Sequence, residues 1–194
     1  GPWGNCRDIE IQGGWGMNKI GIRTEMLALR GALGSAEIAV ASEKAIKNIF
    51  SDDEFLKAGC VGLYVSVRNE LDTREAIERS KRFGKLVCLP KVCKNEIKFF
   101  EFMGFDSLAG GAFGIPEPAE GEEIEPEVVV VPGIAFDMHK HRLGYGKGYY
   151  DKYLGSHDAH SIGVCYEWQV VPALPKERHD WQMNKLIAGD WVLE

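Results

Sequence analysis

From Met17 to about Ala32 the apolar residues Ile22, Met26, Leu29 and Leu33 recur at helical spacing, which predicts a first helix. Gly34 breaks that run, and Ser35 is a plausible N-cap for a second helix reaching about Phe50, with Ile38, Ala41, Ala45, Ile46 and Ile49 as its buried stripe. Val61 to Val67 is short, apolar and β-branched, and reads as a strand. Asp72 is placed to cap the next helix, with Glu75 at the reciprocal capping-box position and an end near Phe83-Gly84. Leu86 to Leu89 then predicts a strand stopped by Pro90, and Ile97 to Met103 another. The stretch Ala109 to Pro126, with four Gly, three Pro and five Glu, has the composition of a loop. It leads into Val128-Val129-Val130-Val131, a continuous apolar run that suits a central strand covered on both faces, as in parallel sheets. A helix from about Tyr149 to Leu154, a strand from Ser161 to Tyr166 and a short strand near Leu186-Ile187 complete the pattern. Strands alternating with helices predict a layered α/β domain with a mainly parallel sheet.

Composition changes this picture little. The 194 residues are enough for one domain with a core of its own, and 45% hydrophobic with 27% charged residues is ordinary globular usage. A formal charge of -6 argues against a general nucleic-acid binder. Cys6, Cys60, Cys88, Cys93 and Cys165 are scattered, odd in number and without a C-x-x-C pair, so they read as free thiols of a reducing, cytoplasmic setting. No apolar run approaches the roughly 18 residues that cross a bilayer, and the first residues lack a signal-peptide layout. Residues 1–16 are Gly-rich and unpatterned. They are expected to be a leader or unstructured extension ahead of a single domain over 17–194.

The chemistry concentrates in Pro132 to Leu154, and above all in Arg142-Leu143-Gly144-Tyr145-Gly146-Lys147-Gly148-Tyr149-Tyr150-Asp151. Alternate glycines remove Cβ atoms and let backbone N–H groups close around an anion. The helix predicted from Tyr149 aims its free donors and positive dipole end at the same place. Arg142 adds a planar fork suited to phosphate oxygens, Lys147 a mobile point charge, and Asp151 a hard oxygen for a phosphate-bound Mg²⁺. The segment is neither a Walker A loop, since Gly148 follows Lys147, nor a dinucleotide fingerprint, since Tyr149 stands where a third glycine belongs. On residues alone, a Gly-rich hairpin with an exposed charged face remains open.

The same segment resembles the signature of the 5-formyltetrahydrofolate cyclo-ligases, P-G-x-x-F-D-x-x-x-x-R-L-G-x-G-x-G-Y-Y-D, at every fixed position. The resemblance extends from about residue 17 to 190. Lys19, Arg23 and Arg30 are similar to the family's N-terminal cations, and Tyr64-Val65-Ser66 with Glu70-Leu71-Asp72-Thr73 to its Y-x-S…E-x-D-T element. Gly114-Ile115-Pro116-Glu117-Pro118 and Gln169…Leu174-Pro175…His179-Asp180 continue the series.

This resemblance implies an NagB/RpiA/CoA-transferase-like three-layer fold and an enzyme, acting as a monomer, that uses Mg²⁺ and ATP to convert 5-formyltetrahydrofolate into 5,10-methenyltetrahydrofolate, ADP and phosphate. It implies that Lys19, Arg23 and the run Arg142, Leu143, Gly144, Tyr145, Gly146, Lys147, Gly148, Tyr149, Tyr150 bind ATP, with Arg142 and Lys147 catalytic. By the same token Val65, Glu70, Tyr145, Lys147 and Tyr149 contact the folate, and Asp151 and Asp180 hold the metal. Two rivals stand beside it: an ATP-binding relative with a changed second ligand, for example in thiamine metabolism, and a non-enzymatic interaction module. One position departs from the family pattern, Asn184 standing where a second acid is usual. His139, His141, His157 and His160 offer no third soft ligand at usable spacing and are expected to be solvated loop residues. Trp168, Trp181 and Trp191 are expected in the core.

Overall fold

The computed structural model describes residues 18–175, 177 and 180–194; Met17, His179, Cys6 and the expected leader lie outside them. Helix α1 spans Lys19–Gly31, its first turn capped by the Asn18 side chain, which accepts from the Gly21 amide at 3.0 Å. Helix α2 covers Ser35–Ile49. Ser35 is its first helical residue rather than its cap: Gly34 holds that place, and the Glu37 carboxylate takes the Gly34 amide at 3.0 Å. A short α3, Asp53–Lys57, follows, with Asp52 as its N-cap.

Strand β1 is only Cys60–Gly62, which corrects the expectation of a strand to Val67. Leu63, Tyr64 and Val65 are buried, so their composition matches a strand, but after the Leu63 amide, which still donates to Cys88, the chain leaves the ladder. The chain then turns through left-handed Arg68 (φ 50°) and Asn69 (φ 58°). Helix α4, Arg74–Arg82, starts one residue later than Asp72 suggested: Thr73 is its N-cap and Asp72 accepts the Arg74 amide at 2.9 Å. Glu75 closes no capping box and instead pairs with Arg82 at 2.5 Å on the exposed face.

Strand β2, Leu86–Cys93, runs through Pro90 rather than stopping there. In a strand, alternate residues face alternate neighbours. The Cys88 carbonyl accepts from Leu63 on the β1 side at 3.0 Å, so Pro90 faces the same side, beyond the end of β1. Its missing N–H therefore forfeits no ladder bond. Strand β3, Glu96–Glu101, returns antiparallel. Inside the expected loop, β4 (Leu108–Gly110) and β5 (Pro116–Pro118) form a two-stranded ribbon. Then come β6 (Val128–Pro132), the hairpin β7 (Ala135–Asp137) and β8 (Arg142–Leu143), α5 (Tyr149–Ser156), β9 (His160–Cys165), β10 (Val170–Val171), β11 (Lys185–Ala188) and β12 (Trp191–Leu193).

The main sheet has the order β12-β11-β9-β6-β1-β2-β3. Its five inner strands are parallel and both edge strands antiparallel. The valine run lies at its centre, buried on both faces as its composition predicts. Val128 and Val130 face α2, α3 and α4, whereas Val129 and Val131 face α5 and the β7–β8 hairpin. A third apolar cluster, with Met26, Ile134, Leu143 and Leu174, docks α1 on the small sheet β10-β7-β8.

That small sheet is fixed to the large one by Phe136. A Cβ at Gly133 would fall 2.5 Å from the Phe136 ring, and one at Gly163 2.6 Å from it. Both positions must therefore lack a side chain for the ring to lie against the backbone of β9. Because Leu186 closes in at 3.2 Å from the same point, the ring has little room to retreat. Gly163→Ala is expected to lower the unfolding free energy by about 1–3 kcal/mol, the usual cost of overpacking. Urea denaturation should show this as a lower midpoint at unchanged slope.

Candidate functional site

A cavity of roughly 330 Å³ opens where three parallel strands end. Its walls come from Tyr64 to Glu70 after β1, Leu89 to Val92 at the end of β2, and Pro132-Gly133 at the end of β6. Ligands of open α/β sheets bind beyond the carboxyl ends of the strands, because the connecting loops splay apart there. The lining is mostly apolar with a few convergent polar groups, the usual make-up of a small-molecule site.

One wall is the glycine loop. The Ile134 amide donates to the Leu143 carbonyl at 2.8 Å, closing the hairpin that delivers Arg142 to the cavity while Leu143 is buried. The Arg142 guanidinium folds back over the loop: a Cβ at Gly144 would fall 2.5 Å from its Nη1. Its Nη2 donates to Asp151 Oδ2 at 2.9 Å, and it lies 5.2 Å from the centroid of the Tyr150 ring. Gly146 and Gly148 take φ of 95° and 65°, left-handed values that other residues adopt only under strain. Gly148 is the N-cap of α5 and supplies no capping side chain. The first-turn N–H groups of Tyr149, Tyr150 and Asp151 are thus left for an anion at the helix start. Lys147 projects from the loop tip, exposed, 5.9 Å from the centroid of the Phe113 ring.

Helix α1 brings two cations to the loop from the other side. Arg23 donates through Nε to the Gly144 carbonyl at 2.8 Å, so the helix holds the loop directly. Lys19 reaches Asp180 Oδ2 at 2.9 Å and Glu177 Oε1 at 3.0 Å. Burial alone would lower the Lys19 pKa, but the two carboxylates outweigh it and hold the ammonium above its ordinary value.

The two carboxylates expected to hold a metal are brought close together in the chain fold: Asp151 Oδ1 accepts the amide of Trp181, the neighbour of Asp180, at 3.2 Å. Each is engaged by a cation, Asp151 by Arg142 and Asp180 by Lys19. Among the described residues no cluster of three or more His, Cys, Asp or Glu could hold a metal by itself. Two hard carboxylates fit a Mg²⁺ that arrives with phosphate oxygens as its other ligands, since that ion keeps few protein donors.

The floor of the cavity carries a charge pair. Glu70 is 7% exposed, and its Oε2 accepts the Val67 amide at 3.1 Å. Arg30, 1% exposed, places Nη1 3.8 Å from Glu70 Oε1 and donates from the same nitrogen to the Gly133 carbonyl at 3.3 Å. Its Nη2 donates to the Tyr145 hydroxyl at 2.6 Å, while Nε is buried without a partner among the described residues. Val65 is buried beside them and Tyr149 lines the wall.

Sequence reasoning noted Arg30 only as a family-like cation and gave no role to Arg68 or Phe113, which stand at the rim. For Arg30, the signal in hindsight is an arginine on the buried face of its helix. The Asn184 side chain is engaged within the sheet: its oxygen accepts the Ser161 amide and hydroxyl at 2.9 and 2.8 Å, tying β9 to the start of β11. The histidines are not uniformly solvated. His141 is buried with Nδ1 3.2 Å from Asp137, because the hairpin turn folds its ring onto that carboxylate. His157 stacks on Tyr153 with centroids 4.0 Å apart. The three tryptophans, expected in the core, are instead half-buried and pack against the outside of the core clusters.

Residues 16–189 match the 5-formyltetrahydrofolate cyclo-ligase family. A 5,10-methenyltetrahydrofolate synthetase structure from Aquifex aeolicus superposes with a TM-score of 0.81 and 37% identity, covering 91% of this chain and 92% of the other. The corresponding protein of Mycoplasma pneumoniae gives 0.72 and 26%, covering 90% and 100%. The 5-formyltetrahydrofolate cyclo-ligase of Haemophilus influenzae is 27% identical, with 87% and 96% covered.

Glu70 titrates above its ordinary value of 4.5 because burial penalises its charge more than Arg30, the Val67 amide and Arg68 favour it. The folded protein therefore holds that proton more tightly than the unfolded chain. Ionising Glu70 costs no stability below the ordinary range and an increasing amount as pH climbs through the raised value. Glu70→Gln removes this dependence. The unfolding free energy of the parent minus that of the variant should fall as pH is raised from about 4 to about 8. Denaturant titrations at a series of pH values would reveal it; a difference that stays level would mean that Glu70 titrates normally.

Proposed function

Because this chain belongs to the 5-formyltetrahydrofolate cyclo-ligase family, we propose that its cavity closes the formyl group of 5-formyltetrahydrofolate into the methenyl bridge at the expense of ATP. The observation that carries the reading is the shared wall: Gly144, Lys147 and Gly148 of the glycine loop line the same cavity as Tyr64 and Glu70. A triphosphate cradled by the loop and a pterin standing on Glu70 would meet along that wall.

The reaction needs such a meeting. A formamide carbonyl is a poor electrophile, and its oxygen is a poor leaving group. The formyl oxygen attacks the γ-phosphorus, the bond to the β,γ-bridging oxygen breaks, and ADP leaves. The N5=CH–O–phosphate so formed is open to N10, whose lone pair adds to the carbon as its proton is lost. The C–O bond then breaks, phosphate carries off the electron pair, and the N5–CH–N10 amidinium remains. Transfer of a phosphoryl group asks the protein chiefly for alignment and charge stabilisation.

The residues divide the work accordingly. Arg142 and Lys147 face the charge that builds on the transferred group, with Leu143 to Tyr150 as the backbone cradle and Lys19 and Arg23 on the outer phosphates. Asp151 and Asp180 would hold Mg²⁺, which when bound neutralises the phosphate oxygens. The ionised carboxylate of Glu70 accepts the adjacent N–H donors of the pterin, and Val65, Tyr145, Lys147 and Tyr149 complete the folate wall. The layered sheet with its strand-end cavity supports the NagB/RpiA-like assignment, and the chain acts as a monomer formed by one domain from residue 17 onward.

Purified protein with Mg-ATP and 5-formyltetrahydrofolate should develop the near-ultraviolet absorbance of the methenyl product, and only when ATP is present. Lys147→Ala should lower kcat/KM on the order of a hundredfold. Glu70→Ala should raise KM for the folate while leaving KM for ATP unchanged. ATP binding without product at high enzyme concentration would overturn the assignment.

A further inference from the structure

The cavity has two ends of opposite character. Glu70, Tyr64 and Leu89 at its floor are 7%, 3% and 1% exposed. Phe113 and Tyr145 at its rim are 56% and 44% exposed, and Arg68 and Lys147 beside them are exposed too. On the reading above, the hydrogen-bonding pterin goes down to Glu70. The other end of the same molecule, a benzoyl ring carrying a glutamate with two carboxylates, must then emerge between Phe113 and Tyr145.

Three cations line this cavity, Arg68, Arg142 and Lys147. Arg142 is paired with Asp151, and Lys147 belongs to the glycine loop. Arg68 has no carboxylate within ion-pair distance among the described residues. Its guanidinium lies 5.5 Å from the centroid of the Tyr145 ring, and its one hydrogen bond among the described residues, from Nη2 to the Phe113 carbonyl, is long at 3.4 Å. Its place is nevertheless well fixed. Arg68 and the next residue are both left-handed. Asn69 is tied on two sides: its side chain donates to the Arg30 carbonyl at 3.1 Å, and its own carbonyl accepts the Tyr166 hydroxyl at 2.9 Å. A guanidinium on an anchored backbone, against an aromatic ring and short of an anion, is prepared for a carboxylate.

We infer that Arg68 is a specificity-determining residue that binds a glutamate carboxylate of the folate tail as it leaves the cavity. The inference rests on the cyclo-ligase reading and concerns a part of the substrate remote from the reacting atoms. Its effect therefore belongs in KM and not in kcat.

Steady-state rates would be compared for the parent, Arg68→Gln and Arg68→Lys. One substrate is 5-formyltetrahydrofolate and the other its dimethyl ester, in which both glutamate carboxylates are neutral. Arg68→Gln should raise KM for the acid roughly three- to tenfold, the range for a charge-assisted contact at a solvated rim, with kcat and KM for ATP held. Arg68→Lys should recover part of the loss. On the ester, the parent and both variants should share one KM. An equal rise on both substrates would reduce Arg68 to a structural residue, and an unchanged KM on the acid would remove it from recognition; either overturns the inference. No turnover of either substrate by the parent would instead overturn the cyclo-ligase reading on which it stands.

Discussion

A guanidinium that water cannot reach must be answered by the protein, and Arg30 is such a group. At 1% exposure its charge has, among the described residues, only Tyr145, the Gly133 carbonyl and the nearby Glu70 to satisfy it. Those partners belong to the glycine loop, the end of the central strand and the segment after β1, while Arg30 itself belongs to α1. Leaving such a charge without partners costs several kcal/mol. The requirement therefore holds four stretches of chain together around one cavity. The Asn69 side chain adds a further tie by donating to the Arg30 carbonyl. The same charge makes a buried Glu70 tolerable at neutral pH, so the floor of the cavity and the arrangement of its loops share one cause.

Around that point the fold contributes two kinds of rigidity. The parallel strands hold the loop origins at fixed spacing, and the Phe136 ring, lying on two glycines, clamps the small sheet on the large one.

Much of the architecture was legible in the chain because it rests on local pattern. The valine run announced a strand buried on both faces, and the stripe of α2 announced its packing. The strand expected to run to Val67 was misread since residues lining a cavity are as apolar as residues in a sheet, and periodicity cannot tell them apart. Pro90 misled for a related reason: its cost depends on whether a neighbour stands beside it, and β1 ends two residues short. Within the site, the glycine loop was legible because its spacing is local. Lys19 meeting Asp180, Arg30 meeting Tyr145 and Arg68 beside Phe113 join positions far apart in sequence. No window along the chain contains both members of such a pair. The residues of the loop could be named in advance, but not the partners that the fold brings to them.

Those partners bear on how the site treats the solutes that surround it. Lys19 and Arg142 are each already in contact with a carboxylate, so these two cations are held as internal salts. A simple anion such as inorganic phosphate would have to strip a cation from its aspartate and leave that aspartate bare, which returns little. With Asp151 and Asp180 in the metal-holding role proposed for them, a phosphate chain that brought its own divalent ion would exchange like for like, the carboxylates turning to the ion and Lys19 and Arg142 to the phosphate oxygens. Entry to this site would then be an ion exchange, and the abundance of small anions in a cell would do little to block it.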